Sequence, residues 1–494
     1  MTEVILSIDQ GTTNTKALLV NTGGRIVSRG SCPVNNRYPQ PGWVEQDPAD
    51  IWESVKKSAG ECINAAGNIK ILAIAISNQR ESALVWDRKT GKPAGPVVVW
   101  QCRRSAPFCN KLHESGIEEK AREKSGLVID PMFSAGKIRW LLDQIPDGSK
   151  RAENGELCAG TIDSWLLWNL TGGAVHACDI SNASRTQLMN LEHARWDDDL
   201  TEWYGIPKAM LPEIVKSSHT AGFTKNVEGL PDELPVAAMI GDSHAALFGQ
   251  GGFRQGSVKA TYGTGSSIMS PTGNRVTYNR SLSSTVAWGL KSEITYALEG
   301  NITSTGATVQ WVSDLLRLKS AEKVAELASE AEDNGGVYIV PAFTGLGAPH
   351  WNDRARGLIT GLTRGAEAKH IARAAIESIA FQVQDVFKLM NATDESKLLA
   401  DGGGSKNNSL MQFQADLLQC PVLRNNDTDI SALGASYLAG LEIGIWKNLK
   451  DIEDLPRSYD RFDPKMDRED RESIISAWAE AVERALFESK TERL

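Results

Sequence analysis

The sequence predicts an α/β protein of two domains, on three observations. The chain has 494 residues, more than the roughly 250 to 300 at which a single hydrophobic core stops growing. Short apolar, β-rich runs alternate with segments whose apolar residues recur with a 3.6-residue period, the pattern of strands followed by helices. A plan of strand, Gly/Thr turn and strand occurs in "EVILSIDQGTTNTKALLV" and again in "GSVKATYGTGSSIMS", about 250 residues further on. Such spacing reads as a duplicated domain. The boundary is expected between Gly251 and Gly256, giving units 1–250 and 251–494.

The first of these segments reads as a β-hairpin whose turn carries Asp9, Gly11, Thr12, Thr13 and Lys16. "PADIWESVKKSAGECINAAG" then shows a helical apolar face. "IKILAIAISNQRESALVWD" is a strand with a polar tip, Asn78 to Glu81, followed by a second apolar run. Loops at strand ends are where α/β proteins usually place ligand contacts. "AMIGDSHAALFGQGG" runs from a strand into an amphipathic helix and sets Asp242, Ser243 and His244 side by side. The second turn holds Gly263, Thr264 and Gly265. "AKHIARAAIESIAFQVQDVFKLM" and "LMQFQADLLQC" are helices, with the glycine-rich "DGGGSKNN" (401–408) between them.

Composition excludes several functions. The formal net charge is −9 and the sequence pI about 5.5, and no Lys/Arg block with interleaved aromatics occurs, so nucleic acid is not an expected partner. No uninterrupted apolar run reaches about 18 residues, and the first residues lack a basic segment, so neither membrane insertion nor a signal peptide is expected. The seven cysteines are scattered without a CxxC pair, which favours reduced thiols over zinc or disulfides. A cytoplasmic location follows.

The three glycine-rich turns "DQGTT", "YGTGSS" and "DGGGSKNN" can curl successive backbone N–H groups around an anion, with Thr and Ser hydroxyls as further donors. Each taken alone reads first as a plain tight turn, and only the three together suggest nucleotide phosphates. None is a Walker A or a complete GxGxxG. Asp9 and Asp242 are carboxylates flanked by apolar strand residues; such a group meets a metal, a backbone amide or a substrate hydroxyl. For Asp242 a helix N-cap is the alternative. Consecutive residues point in different directions on strand and helix alike, so Asp242, Ser243 and His244 do not converge into a relay. No GxSxG surrounds Ser243, and His244 reads as a polar helix residue.

With these residues set out, the chain resembles the FGGY carbohydrate kinases, on the glycerol-kinase side of that family, essentially from end to end. "MFSAGKIRWLLDQ" and "GLITGLTRGAEAKHIARAAIES" are similar to the two family signatures. "YPQPGWVEQDPADIW", "VVWQCRRS", "NASRTQLMN", "ALFGQ", "YGTG", "VPAFTGLGAP" and "LMQFQADLL" match family segments in the same order. The resemblance implies two ribonuclease-H-like domains, as in actin and hexokinase, with the active site in the cleft between them. It implies ATP held by Thr12, Thr13, Lys16, Thr264, Gly265, Gly306, Gln310, Gly403 and Asn407, with Mg²⁺ near Asp9 and Asp242. Lys16 stands where an arginine is usual, keeping charge but losing the bidentate fork. Asp242 is the implied base, with an ordinary carboxylate pKa near 3.9.

The resemblance further implies that the substrate is held by Arg80, Glu81, Trp100 and Asp242. Paired charges suit vicinal hydroxyls, and an aromatic face covers their C–H side; as an alternative, Arg80 and Glu81 simply pair with each other. Met132, Ser243 and Ser267 stand where tyrosine, glutamine and phenylalanine are usual, so the pocket is expected to be wider and more polar. The expected reaction is ATP-dependent phosphorylation of a primary hydroxyl of glycerol or of a longer alditol, a tetritol or pentitol. Alternatives are a ketose or aldose kinase, or a non-catalytic actin-like ATP-binding protein. A homo-oligomer, dimer or tetramer, is expected. "NVEGLPDELP" is acidic and lacks the arginine of fructose 1,6-bisphosphate-responsive relatives, so no inhibition by that effector is expected.

Overall fold

The computed structural model of the chain describes residues 1–390 and 396–488. Its frame is two mixed sheets that repeat one another. The first comprises β1 (Thr2–Gln10), β2 (Asn14–Asn21), β3 (Ile26–Pro33), β4 (Ile69–Asn78), β5 (Ser218–Phe223) and β6 (Pro235–Gly241), in the order β3-β2-β1-β4-β6-β5. The second comprises β7 (Val258–Tyr262), β8 (Ser266–Gly273), β9 (Ser283–Gly289), β10 (Ile294–Ile302), β11 (Leu398–Asp401), β12 (Val422–Asn425) and β13 (Tyr459–Phe462), in the order β9-β10-β8-β7-β11-β12-β13.

Apart from the added edge strand β9, the sense of every pairing matches. The hairpins β1/β2 and β7/β8 are antiparallel and central. β1, β4 and β6 run parallel, as do β7, β11 and β12. The duplication expected from two short turns therefore extends over whole sheets. In β1, Val4, Ile5, Leu6 and Ile8 are all fully buried, the continuous apolar run of a strand covered on both faces. Each such side chain contributes about 1.5–3 kcal/mol by leaving water.

The helices expected from periodicity all form. α1 (Pro48–Asn64) starts at Asp47, whose carboxylate accepts the Ala49 N–H, and has proline in its first turn. Its face of Ile51, Val55, Ala59 and Cys62 lies on the first sheet. Contact is closest at Gly30, where a Cβ would sit 2.1 Å from the Ser58 carbonyl oxygen. α2 (Ser134–Asp143), α3 (Asp242–Gly249), α4 (Gly306–Leu315), α5 (Ala368–Phe387), α6 (Asn408–Leu418) and α7 (Ile430–Glu442) follow.

α7 lies late in the chain but packs on the first sheet. Ile430, Leu433 and Leu438 share a core with Ile5, Ala73, Ala245 and Phe248. At Gly434 a Cβ would stand 1.9 Å from the Ala245 carbonyl oxygen, so only glycine lets α7 reach the backbone of α3. A further small sheet of 45–46, 97–98, 83–87 and 157–161 caps the first half. All seven cysteines are free thiols. No helix among the described residues is long and apolar enough to cross a membrane.

Candidate active site

Parallel strands end together, and the residues they carry are brought to one edge. Asp9 pairs in register with Ser77, while Gln10 and Gly241 both pair with Asn78. Adjacent strands lie about 4.8 Å apart, so the ends of β1 and β6 are roughly 10 Å apart with β4 between them. Asp9 accepts a hydrogen bond from Ser77 Oγ at 2.8 Å, and burial raises its pKa. Asp242 opens α3, but the cap position belongs to Gly241. The N-cap reading of Asp242 is therefore corrected: its Oδ1 accepts only the adjacent Ser243 N–H, at 2.6 Å.

The Asp242 carboxylate is 38% exposed, in the cleft, with Arg80 Nε 3.3 Å from Oδ1. Lost hydration outweighs Arg80 and raises its pKa to about 6, which corrects the ordinary value expected for it. At pH 7 it is still mostly ionised, and a pKa closer to the working pH makes it a better proton acceptor.

Behind this carboxylate sits a ring of alternating charge. Arg80 Nη1 lies 2.8 Å from Glu299 Oε1, Arg185 Nη1 lies 2.8 Å from Glu299 Oε2, and Arg185 Nε lies 2.7 Å from Glu81 Oε1. Arg80 and Glu81 pair with each other at 4.0 Å, the longest side of the ring, so the alternative Arg80–Glu81 pair forms only as part of this larger network. Ser267 Oγ donates to Glu299 Oε1 at 2.7 Å. Burial of Glu299 is outweighed by Arg185 and Arg80, which hold its carboxyl far below the usual range. Glu81 has φ of 58°, a left-handed conformation that costs roughly 1–2 kcal/mol; Ser134 Oγ donates to its carbonyl at 3.1 Å.

Sequence reasoning missed Arg185 and Glu299 as site residues. A signal existed for Glu299, one acidic residue inside the apolar strand run "ITYALEGNI", since a buried charge must find a partner. Arg185 lies within "NASRTQLMN", where nothing local distinguishes it from a surface arginine. His244 is a helix residue, as expected, and is fully buried. Its Nε2 is 3.4 Å from Thr285 Oγ1, and burial followed by the nearby Arg80 keeps it neutral.

Trp100 joins this edge to the first turn, since its indole N–H donates to Thr12 Oγ1 at 2.9 Å and its backbone N–H to Ser82 Oγ at 3.1 Å. Thr13 is exposed at the tip of the turn. Met132, part-exposed, donates its N–H to Asp130 Oδ1 at 2.7 Å, and its carbonyl accepts from the buried Lys137 ammonium. Ser243 is part-exposed beside Asp242. Lys16 is tied to Asp429 at 2.8 Å, with Arg29 on the other oxygen at 3.0 Å. Desolvation lowers the Lys16 pKa, but Asp429 more than offsets this and raises it.

The second hairpin turn sits on the start of α4. The Thr305, Gly306 and Ala307 N–H groups donate to the Thr264, Gly263 and Thr264 carbonyls at 3.0, 3.0 and 3.1 Å. A Cβ on Gly306 would lie 2.6 Å from the Gly263 oxygen, so Thr264, Gly265 and Gly306 form one unit. The "DGGGSKNN" loop lies against the end of β7, where a Cβ on Gly402 would meet the Tyr262 oxygen at 2.5 Å. Gly403 faces open space, and Asn407 caps α6 by accepting the Leu410 N–H at 3.0 Å. Gln310 is one turn along α4, exposed, and donates to Asp314 at 2.9 Å. The route from Ser267 through Glu299 and Arg80 to Asp242 links this side to the charged edge.

No group of three or more His, Cys, Asp or Glu side chains with metal-site spacing occurs among the described residues. Asp9 and Asp242, near enough for Asp9's charge to act on Asp242, would offer a metal oxygen donors only. That fits Mg²⁺, which takes one or two carboxylates and completes its shell with water and substrate phosphate.

Comparison with known proteins shows the family and the fold. Residues 4–249 match the N-terminal domain of the FGGY family of carbohydrate kinases, and residues 258–443 its C-terminal domain. The chain is 49% identical over 491 residues to glycerol kinase 2 of Thermotoga maritima, covering 98% of each protein. It is 47% identical over 495 residues to a glycerol kinase of Caldanaerobacter subterraneus, covering 98% of this chain and 99% of that one. Among solved structures it is similar to Plasmodium falciparum glycerol kinase with ADP, with a TM-score of 0.91, 34% identity and 98% coverage of both chains. A xylulose kinase from Lactobacillus acidophilus shares the fold, with a TM-score of 0.88 at 21% identity and 99% coverage of both chains.

Proposed function

The chain belongs to the FGGY family of carbohydrate kinases and is an ATP-dependent alcohol kinase, and from this premise we propose that it phosphorylates a primary hydroxyl of glycerol. The observation that carries the reading is the carboxylate of Asp242, held in the cleft 3.3 Å from Arg80, in a chain 49% identical to a glycerol kinase. Phosphoryl transfer asks little covalent chemistry of a protein. It needs reactants held in line, charge neutralised, and a base at the attacking hydroxyl. Asp242 accepts the hydroxyl proton as the new P–O bond forms to the γ-phosphorus and the bond from that phosphorus to the β-phosphate oxygen breaks, releasing ADP. Arg80 and Glu81 take the neighbouring hydroxyls, and Trp100 covers the carbon chain.

On the other side, Thr264, Gly265, Gly306, Gln310, Gly403 and Asn407 hold the nucleotide, with Thr12, Thr13 and Lys16 reaching its phosphates from the first hairpin. Mg²⁺, when bound through Asp9 and Asp242, supplies positive charge to the phosphates. Shutting the cleft favours transfer to the hydroxyl over transfer to water. The units 1–250 and 251–494 act in this scheme as the two jaws, with α7 of the second half anchored on the first sheet.

A second reading, a longer alditol, is favoured by the small side chains Ser243, next to the base, and Ser267, whose hydroxyl lies on Glu299. A coupled ADP-release assay over glycerol, erythritol, threitol, ribitol, xylitol, arabitol and several ketoses tests both. Glycerol as the acceptor with the highest kcat/KM supports the first, and a dominant tetritol or pentitol supports the second. A dominant ketose refutes both. The free cysteines support a reducing cytoplasm. Exposed apolar side chains such as Leu362 (60%) and Phe223 (50%) are surface that a homo-oligomer would cover, and light scattering on the purified protein reads its mass.

A further inference from the structure

The ring behind the base contains two members to which the reading above gives no role. Arg185 is fully buried, as is Glu299, and Arg80 and Glu81 are 6% and 4% exposed. Three of the four belong to the first half of the chain, whereas Glu299 comes from β10 of the second sheet. Glu299 is therefore the member that joins the halves at this point. It receives Arg80 on one side, Arg185 on the other, and the Ser267 hydroxyl as a third partner. Arg185 in turn grips Glu81 through Nε and rests over the Phe133 ring, with 5.0 Å from its guanidinium carbon to the ring centroid. A charge buried so completely is stable only while its partners stay in place. Arg80 and Glu81, both nearly buried, are thus each held by a first- or second-half partner that is fully buried.

We infer that Glu299 and Arg185 are positioning residues for the acceptor hydroxyls: they fix the rotamers of Arg80 and Glu81 and make the acceptor grip complete only when the second sheet is docked in this register. The inference rests on the assignment of Arg80 and Glu81 to the acceptor. Arg80 shows the consequence most directly. With Nη1 committed to Glu299, its buried Nε N–H is turned to Asp242 and makes no hydrogen bond within the protein. That N–H is a donor set in advance beside the base. Without Glu299 the guanidinium is free to rotate onto Asp242 or Glu81, and the donor is lost.

The test is steady-state kinetics on Glu299→Gln and Arg185→Lys, each checked for cooperative unfolding, with the acceptor that the wild type uses best. KM for the acceptor should rise at least about tenfold in both, while KM for ATP stays within about twofold. The double variant Arg185→Lys/Glu299→Gln should be no worse than the worse of its two singles, because both act through one ring. An acceptor KM within twofold of wild type in either folded variant, or acceptor and ATP KM values rising together, overturns the inference. Should Glu299→Gln not fold, Glu299→Asp keeps the charge and shortens the reach by one methylene. It is expected to raise acceptor KM about threefold or more, and an unchanged value counts against the proposal equally. A wild type inert toward every polyol overturns this and the assigned function together. An active wild type with a silent Asp242→Asn and a normal Glu299→Gln overturns the positioning role alone.

Discussion

The two sheets end in corresponding edges with opposite chemistry. At the edge of the first, the strand ends carry Asp9, Arg80, Glu81 and, one residue past β6, Asp242. At the edge of the second, the matching ends carry Thr264, Gly265 and, across Tyr262, the glycines of the "DGGGSKNN" loop. Strand order and direction are the same, so topology decides that backbone termini gather at an edge in both halves. Side chains decide what the edge does: in the proposed scheme the charged groups of the first select hydroxyls and move a proton, while the glycines and threonines of the second offer neutral donors to phosphates.

Removing the charge at the first edge should have the largest effect. Asp242→Asn keeps the shape of the carboxylate and is expected to lower kcat by about 10²–10⁴-fold with KM for ATP little changed, as read by ADP release. If activity survives within tenfold, the first edge binds without supplying the base. The second edge is broken sterically. Gly306→Val places its branch against the Gly263 oxygen, where even a Cβ would stand at 2.6 Å, and overpacking of this kind costs about 1–3 kcal/mol. KM for ATP should rise about tenfold or more with acceptor KM spared; the reverse pattern would exchange the roles of the two edges.

A smaller effect is expected at the seam between the halves. Lys16→Gln removes the 2.8 Å contact to Asp429. The lysine side chain is 37% exposed, so the stability loss should be no more than about 0–1 kcal/mol, visible as a slight fall in Tm. If Lys16 also reaches phosphate, KM for ATP rises several-fold, and an unchanged value confines it to the seam.

Charge is also stored in the first half away from the edge. Burial, then the neighbouring Asp179, raises Asp163 to about 7, and burial raises Asp179 to about 6. Both carboxyls are protonated more readily folded than unfolded, where a value near 3.9 holds. Their contribution to stability is therefore fully present below about pH 4 and is lost as pH rises through 6 to 7. Thermal unfolding should show Asp163→Asn gaining about 2–4 °C over wild type at pH 8 and little at pH 5. An equal gain at both values would assign the change to packing. The smallest expected effect is none: fructose 1,6-bisphosphate should leave activity unchanged in a dose series, and a graded loss would place an effector site outside both edges.

Much of this arrangement was legible in the residues. Hydrophobic periodicity pointed to helices within 48–67, 242–252, 368–390 and 410–420, where helices form at 48–64, 242–249, 368–387 and 408–418, and two Gly/Thr turns pointed to the repeat, because those signals are local. Resemblance to the FGGY kinases supplied the candidate residues at both edges. Local signals could not say that Gly241, not Asp242, occupies the cap, since Asp at a helix start looks the same at either position. Nor could they say that Arg80 approaches Glu299, 219 residues away, more closely than its neighbour Glu81.

Class, duplication and the residue types available for chemistry were thus set along the chain, because propensity and patterning act over a few residues. Tertiary structure alone decided which charges meet. The pairing of Glu299 with Arg80 and Arg185, the return of α7 onto the first sheet through Gly434, and the raised pKa of Asp242 all follow from long-range burial. There a charge loses its water and accepts whatever partner the fold brings within about 3 Å.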